Sequence, residues 1–150
     1  MAAELDEKDW KILELLKEHA EYTTRQIAKK TLLPVTTVHN RIRKLREMKV
    51  IKRYTVDLDN KQIGKNLVAY VLISANLSLL KQKKMSQYDL ADQIKRLDFV
   101  ERVDIVSGGT DLVAIIRVKD VEEFDKVLLG KLQNFDVIDK TQSLIVLHER

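Results

Sequence analysis

The sequence predicts an α+β fold in two parts, a short helical part followed by a longer part that mixes strands and helices. Up to residue 53 the apolar residues recur every three or four positions, as in amphipathic helices, whereas from residue 67 onward short aliphatic stretches typical of strands appear. The charge changes at the same place. Residues 22–53 carry ten Lys or Arg against one acid, and residues 64–150 carry thirteen of each sign. We therefore expect domains at 1–53 and 67–150, joined by a linker strand at 54–66.

The composition excludes several classes of protein. Of the 150 residues, 45% are hydrophobic and 33% are charged, which is typical of a folded globular chain. No cysteine is present, so disulfides, thiolate metal sites and cysteine nucleophiles are excluded. The longest apolar run, Leu67 to Ile73, is far shorter than the roughly 20 residues of a membrane helix. Residues 1–9 lack the apolar segment of a secretory signal, and we expect a cytoplasmic protein.

Three helices are predicted in the first part. The first has an apolar side and ends at His19-Ala20; its apolar residues are Leu5, Ile12, Leu13 and Leu16. The segment 23–26, Thr-Thr-Arg-Gln, has the form of a capping box and predicts a second helix from near Thr24, with Ile27 and Ala28 buried. Proline suits the first turn of a helix, so the third helix is expected to begin at Pro34 or Val35.

The third helix has one apolar stripe and an opposite face that is polar and basic. The stripe is expected to bury Val35, Val38, Ile42, Leu45 and Met48. The other face offers an amide that can pair with adenine and guanidinium groups that can pair with guanine, which predicts a helix-turn-helix, of the winged type, that reads DNA. A solvated helix face in an α-helical bundle is the alternative. The expected DNA-binding residues are Thr24, Arg25, Thr36, Thr37, His39, Asn40, Arg41, Arg43, Lys44 and Arg46.

The segment after the third helix is predicted to be the linker. Residues 52–58 alternate between polar and apolar side chains like a strand, and Asp59-Asn60 is expected to form a turn before Gly64.

The second part is predicted to follow the order β-α-β-β-α-β, which is the ferredoxin-like arrangement. Ser86-x-x-Asp89 and Asp120-x-x-Glu123 are expected to cap its two helices, and Gly108-Gly109 to turn a hairpin. We expect inward-facing residues Leu90, Ile94, Leu97, Val121, Phe124, Val127 and Leu128, and strands at Leu67–Leu77, Phe99–Val106, Leu112–Val118 and Val137–Leu147. Both helices would cover one face of the sheet, and the apolar residues of the other face predict a homodimer.

Several motifs together resemble the Lrp/AsnC family of transcriptional regulators over nearly the whole chain. They are Leu5-Asp6-x-x-Asp9-x-x-Ile12-Leu13 in the first helix, Val38-x-x-Arg41-Ile42-x-x-Leu45 in the third, and Gly108-x-x-Asp111 between strands. Residues 35–42 are most similar to archaeal members. The resemblance implies a C-terminal effector-binding and oligomerisation (RAM) module, dimers or octamers, and amino acids or related small metabolites as effectors. It places effector contacts in the loop after the second strand, at Ser107, Gly108, Gly109, Thr110 and Asp111.

The chain departs from the family pattern in two places. Leu32 and Pro34 stand where the family often has a glycine and then a serine before the third helix. The middle of the effector loop is Gly109-Thr110 where an acidic-aromatic pair is common.

No enzyme motif occurs, and the three histidines are too dispersed for a local metal site. We expect no cofactor, no metal and no catalytic residue. Two alternatives remain open: a tetrapyrrole-binding enzyme on the same architecture, similar to sirohaem decarboxylases, and an architectural or RNA-binding protein that uses only the basic surface.

Overall fold

A computed structural model describes residues 2–149. The chain divides into two compact units, Met1–Asp57 and Leu58–Arg150, and the boundary lies inside the segment predicted as the linker. Within the described residues no helix is long and apolar enough to cross a membrane. The elements are α1 (Glu7–Glu18), α2 (Thr24–Thr31), α3 (Val35–Glu47), β1 (Leu67–Ala75), α4 (Leu77–Gln82), α5 (Gln87–Lys95), β2 (Val100–Ile105), β3 (Leu112–Val118), α6 (Val121–Gly130), a 3-10 turn (Leu132–Asn134) and β4 (Ile138–Ile145).

The N-terminal unit is a three-helix arrangement with capped helix starts. The predicted capping box between Thr23 and Gln26 begins α2, and an equivalent box between Asp6 and Asp9 begins α1. These boxes satisfy backbone N–H groups that a helix start leaves without partners. Pro34 precedes α3, as expected, and provides no side-chain cap. The core consists of Ile12, Leu16, Ile27, Ala28 and Val38, and Leu45 is also buried.

The apolar stripes of two helices are shorter than the sequence predicted. Val35 is 45% exposed and Val121 is 66% exposed, although both were expected to be buried. Each is the first residue of its helix, α3 and α6. Both residues fit the apolar spacing of their helices, but their side chains in the first turn remain exposed. Periodic spacing identifies which face of a helix is buried, but it does not show at which residue the burial ends.

The predicted linker strand at 54–66 is a wrong expectation. None of residues 52–66 belongs to a strand. An alternating segment becomes a strand only when another strand accepts and donates its backbone hydrogen bonds, and the strand pairs described within residues 2–149 do not include this segment. The predicted turn is confirmed. The Asp59 carboxylate accepts from the backbone N–H groups of Lys61 and Gln62 at 3.0 and 3.2 Å, and Gly64 has a positive φ of 76°.

The C-terminal unit has the predicted β-α-β-β-α-β order. Its four strands form one antiparallel sheet in the order β2-β3-β1-β4. Alternate residues of β1 and β3 are buried together with residues of α5 and α6, so both helices cover one face of the sheet. The centre of this core includes Ile73, Leu90, Ile94, Leu112 and Ile116.

Two short elements were not predicted. β1 ends at Ala75 rather than at Leu77, because the Asn76 side chain accepts from the Leu79 backbone N–H and starts α4 at Leu77. A 3-10 turn follows α6 and buries Leu132. Both elements are shorter than two helical turns, which is too short for a periodic pattern to be visible in the sequence.

Among residues 2–149, the helices of the C-terminal unit pack on one face of the sheet and leave the opposite face without a helix against it. Tyr70 in β1 pairs with Ile115 in β3 and with Leu144 in β4, and Leu72 pairs with Val113, which places all five side chains on this face. Tyr70 and Leu144 are 42% and 46% exposed.

A buried arginine crosses the same face. Arg117 in β3 makes ion pairs with Glu101 in β2 and, through two hydrogen bonds of 2.7 and 3.1 Å, with Glu149 near the C-terminus. The guanidinium holds the pKa of Glu149 below its usual range, and the Glu149 and Glu101 carboxylates raise the pKa of Arg117. The positive charge is thus neutralised within the chain, which is the condition for burying it.

Replacing Leu32 with glycine is expected to stabilise the N-terminal unit. Leu32 ends α2 with φ 57° and ψ 32°, a left-handed conformation, and its side chain is 90% exposed. Glycine adopts this conformation without strain but has more freedom when unfolded, so we expect the free energy of unfolding to rise by about 0.5–1 kcal/mol. The measurement is urea denaturation followed by the fluorescence of Trp10, the single tryptophan.

The control is Lys29→Gly, which places glycine at an exposed position inside α2. It should lower the free energy of unfolding by about 1 kcal/mol. Equal losses in the two variants would contradict the left-handed conformation of Leu32.

Candidate nucleic-acid interface and effector loop

The solvent-facing side of α3 is a row of polar side chains. Thr36, Asn40, Arg43 and Glu47 follow one another at spacings of four, three and four residues, and all are exposed. Residues at this spacing lie one above another on a helix. The row is opposite Val38 and Leu45, which are 0% and 1% exposed and hold α3 to the unit.

Further predicted residues flank this row. His39 and Arg46 are exposed on one side, and Lys44 is exposed on the other with Thr37 partly buried beside it. From α2, Thr24 and Arg25 line a shallow groove together with Thr36, His39 and Asn40. The structure therefore brings nine of the ten predicted DNA-binding residues to one connected surface, which we call the α3 surface: Thr24, Arg25, Thr36, Thr37, His39, Asn40, Arg43, Lys44 and Arg46.

Arg41 is the exception, because its side chain is engaged within the N-terminal unit. Its Nη1 donates to both carboxylate oxygens of Asp6 at 2.7 Å and to Oδ1 of Asp9 at 2.9 Å. On a helix wheel Arg41 lies next to the buried stripe, so its side chain points toward the start of α1 and not away from the unit. Only 25% of the Arg41 side chain is exposed, and 10% of the Asp9 side chain.

The ion pairs shift the pKa values of Arg41 and Asp6. Hydrogen bonding from Arg41 holds the pKa of Asp6 below its usual range, and the bonds to Asp6 and Asp9 raise the pKa of Arg41. Both groups therefore remain charged at neutral pH. The arginine charge is used inside the protein and does not add to the positive field of the α3 surface.

Glu47 is a residue of this surface that the prediction left out. It is the one acid among residues 22–53, and it lies at the C-terminal end of the polar row. Its carboxylate is 4.0 Å from Nε of Arg43, one helical turn away. Both side chains are more than 60% exposed, so the pair contributes little to stability. The spacing of four residues was visible in the sequence and would have predicted this contact.

The predicted effector loop has an exposed tip. Ser107, Gly108 and Gly109 are exposed between β2 and β3. Gly108 has φ 131°, a conformation that favours glycine, whereas Gly109 has no such requirement. Apart from the neighbouring residues in the chain, no heavy atom of the described residues lies within 4 Å of where a Cβ would stand at either glycine, so the tip is open to approach.

Thr110 and Asp111 hold the loop to the sheet instead of standing free. Oδ2 of Asp111 accepts from the Ala75 backbone N–H at 2.8 Å, and Oδ1 accepts from Gln87 Nε2 at 3.0 Å. The Thr110 hydroxyl donates to the Ile73 carbonyl at 2.9 Å. Asp111, predicted as an acceptor for an ammonium group, thus has both carboxylate oxygens engaged within the chain, because the irregular end of β1 leaves the Ala75 N–H available to it.

Residues 2–149 contain no cluster of three side chains of the types that hold a metal ion. The three histidines are separate: the His19 ring stacks on Tyr22 with centroids 4.3 Å apart, and His39 is exposed on α3.

The fold and the α3 surface define a DNA-binding protein of the helix-turn-helix class that carries a second, ferredoxin-like unit. Comparison with known families agrees. Residues 5–52 match a family model described as winged helix-turn-helix DNA-binding, and residues 69–150 match the Lrp/AsnC ligand binding domain. Within residues 2–57 the structure contains helices and no strand.

Similar curated proteins are regulators from archaea. The HTH-type transcriptional regulator FL11 of Pyrococcus horikoshii is 32% identical over 98% of this chain and 92% of its own length. An uncharacterized HTH-type transcriptional regulator of Pyrococcus furiosus is 31% identical over 97% of this chain and 94% of its own length. The chain belongs to the Lrp/AsnC family of DNA-binding transcriptional regulators.

Solved structures share the fold. AsnC of Escherichia coli superposes with a TM-score of 0.86 at 23% identity, covering 98% of this chain and 95% of its own. A transcriptional regulator of Neisseria meningitidis, solved as a complex with L-Met, gives a TM-score of 0.88 at 22% identity, covering 97% and 92%.

Proposed function

We propose that this protein is a sequence-specific regulator that inserts α3 into the major groove of duplex DNA. The observation that carries the proposal is the polar row of α3. Asn40 and Arg43 are exposed neighbours at the centre of that row, and they are the side-chain types that pair with adenine and guanine edges. A solvated helix of a bundle has no need for such a row, and it usually alternates charges of both signs.

Phosphate contacts would come from the cations beside the row. Lys44 and Arg46 are exposed on opposite flanks of α3, where the two strands of a groove would pass. Arg25 extends the surface from α2. We propose residues 1–53 as the DNA-binding domain and residues 67–150 as the effector-binding and oligomerisation domain.

We also propose that two copies associate through the open face of the sheet. Tyr70, Leu72, Val113, Ile115 and Leu144 form an apolar row on that face, and a second copy would cover it with the same row. A two-fold dimer would then meet two half-sites about 34 Å apart, or a multiple of that, on the DNA. Assembly of dimers into octamers remains a proposal that rests on the family resemblance.

For the effector we propose an amino acid or a related small metabolite, bound at Ser107–Gly109. The support is twofold. The loop tip offers open backbone N–H groups that suit a carboxylate, and a similar structure was solved as a complex with L-Met. Thr110 and Asp111 would fix the shape of the loop. A regulatory role needs no catalytic group, so we propose that the protein is not an enzyme.

Substitutions in the row are expected to separate base readout from phosphate binding. Asn40→Ala and Arg43→Ala should each relax specificity at particular base pairs, by about 1–3 kcal/mol per base pair, because each removes a bidentate pairing. Lys44→Ala should weaken binding to all duplexes alike. The measurement is the affinity of each variant for a panel of duplexes with single base-pair changes.

The three substitutions lie within five residues on exposed positions of one helix, so effects on folding should be similar and small. Uniform losses across the panel for all three variants would show that α3 does not read bases and would favour an architectural binder.

Leu144→Lys is expected to weaken dimerisation by roughly tenfold or more, because each subunit would bury an ammonium group without a partner. Sedimentation velocity over a range of concentrations measures this. Val121→Lys is the matched control, since Val121 is also apolar and exposed but begins α6, away from the open face. Equal effects of the two substitutions would contradict the proposed interface.

Effector binding is tested by unfolding temperature in the presence of each amino acid. A ligand of the folded state at 100 times its dissociation constant should add about 2.7 kcal/mol of stability. At least one amino acid should raise the unfolding temperature of the wild type, and Gly108→Ala should lose that response because φ 131° is strained for alanine. No response to any of them would contradict an amino-acid effector.

A further inference from the structure

Three side chains join the start of α1 to the middle of α3. Asp6 and Asp9 form the capping box of α1, in which each carboxylate accepts from the other's backbone N–H at 2.9 and 3.2 Å. One nitrogen of Arg41 donates to three oxygens of these two carboxylates. We call this group the Asp6–Asp9–Arg41 clamp. Because the capping box already orders the two aspartate side chains, they lose little conformational entropy when Arg41 binds them.

The clamp lies directly beside residues of the α3 surface. Thr37, Asn40 and Lys44 line the same groove as the two aspartates and Glu4. Asn40 precedes Arg41 in the chain, and Lys44 is three residues after it. A rotation or shift of α3 against α1 would therefore move Asn40 and break the contacts of Arg41 in the same step.

The contacts with Asp6 and Asp9 also oppose the release of Arg41 to bind DNA. The Asp9 side chain is 90% covered, so removing the arginine would leave its buried charge with the Asp6 backbone N–H and without a cation beside it. It would also remove the cation that pairs with Asp6. Pulling Arg41 out to bind DNA carries the same penalty, which a phosphate contact at an exposed site would not repay.

We propose that Arg41 is a positioning residue for DNA readout: it sets the orientation of α3 through Asp6 and Asp9 and makes no contact with DNA. The inference rests on the proposed function and deepens it. The clamp makes the specificity of Asn40 depend on residues of α1 that lie outside the readout helix.

The test uses the full chain with Arg41→Gln, Asp9→Asn and the double variant, and Lys44→Gln as the control that removes a cation from the same helix. Affinity is measured for a selected duplex and a scrambled duplex at several salt concentrations. Arg41→Gln should reduce the ratio of the two affinities by about 5- to 150-fold, the range for one mismatched base pair. The slope of log affinity against log salt should stay as in the wild type, because no phosphate contact is lost.

Lys44→Gln should behave in the opposite way. The slope of log affinity against log salt should become smaller in magnitude by about 0.9, as for the loss of one phosphate contact, with little change in the ratio of the two affinities. Asp9→Asn should lower the ratio in the wild type and have little further effect once Arg41 is replaced, because the two act through one contact.

Three results would overturn the proposal. In Arg41→Gln, a salt slope smaller in magnitude by about 0.9 would indicate a phosphate contact. A higher affinity in Asp9→Asn would indicate that the acid competes with DNA for the arginine, and an unchanged ratio of the two affinities in a folded Arg41→Gln would leave the clamp a purely structural contact. Should Arg41→Gln not fold, Arg41→Lys decides, since it keeps the charge but cannot bridge both carboxylates in the same way. A wild type without any preference for the selected duplex would instead refute the proposed function.

Discussion

The narrow buried stripe of α3 is the constraint on which the N-terminal unit depends. Val38 packs in one core with residues of α1 and α2, Leu45 is also buried, and Ile42 between them is only partly buried. A unit of this size buries little apolar surface, so few side chains must fix the orientation of the helix that carries the polar row. The capping boxes of α1 and α2 and the Asp6–Asp9–Arg41 clamp add directional contacts where the apolar core is thin. The orientation of the side chains on the α3 surface therefore depends on contacts throughout the N-terminal unit.

In the C-terminal unit, the constraint comes from the two faces of the sheet. Two helices cover one face of its sheet, and the other face carries both an apolar row and the buried Arg117. The ion pairs with Glu101 and Glu149 neutralise that arginine inside one chain. A partner that covers the apolar row would thus not have to supply a counter-charge. The exposed loop tip, in contrast, is held in shape by Thr110 and Asp111 and leaves its own backbone free.

Much of this architecture was predictable from the sequence because local signals and long-range packing agree. The capping motifs at Thr23, Ser86 and Asp120 mark three helix starts correctly, and the aliphatic stretches at 67–77 and 112–118 contain β1 and β3. The linker strand was wrong since a strand also needs a partner, which the segment itself does not encode.

Residue roles at the sites were harder to predict than the elements. Arg41 and Asp111 have side chains typical of binding sites, yet their partners lie 32 to 36 residues away in sequence, at Asp9 and Ala75. The left-handed conformation of Leu32 could not be predicted from the residue type, because leucine disfavours that conformation.

If the ordered polar row of α3 reads a defined DNA sequence, selection from a random duplex pool, sequenced after several rounds, should enrich a pseudo-palindromic motif. The specified base pairs should fall in two half-sites separated by about one helical turn or a multiple of it. A pool that the protein retains without any enriched motif after selection would show that α3 does not read a defined sequence.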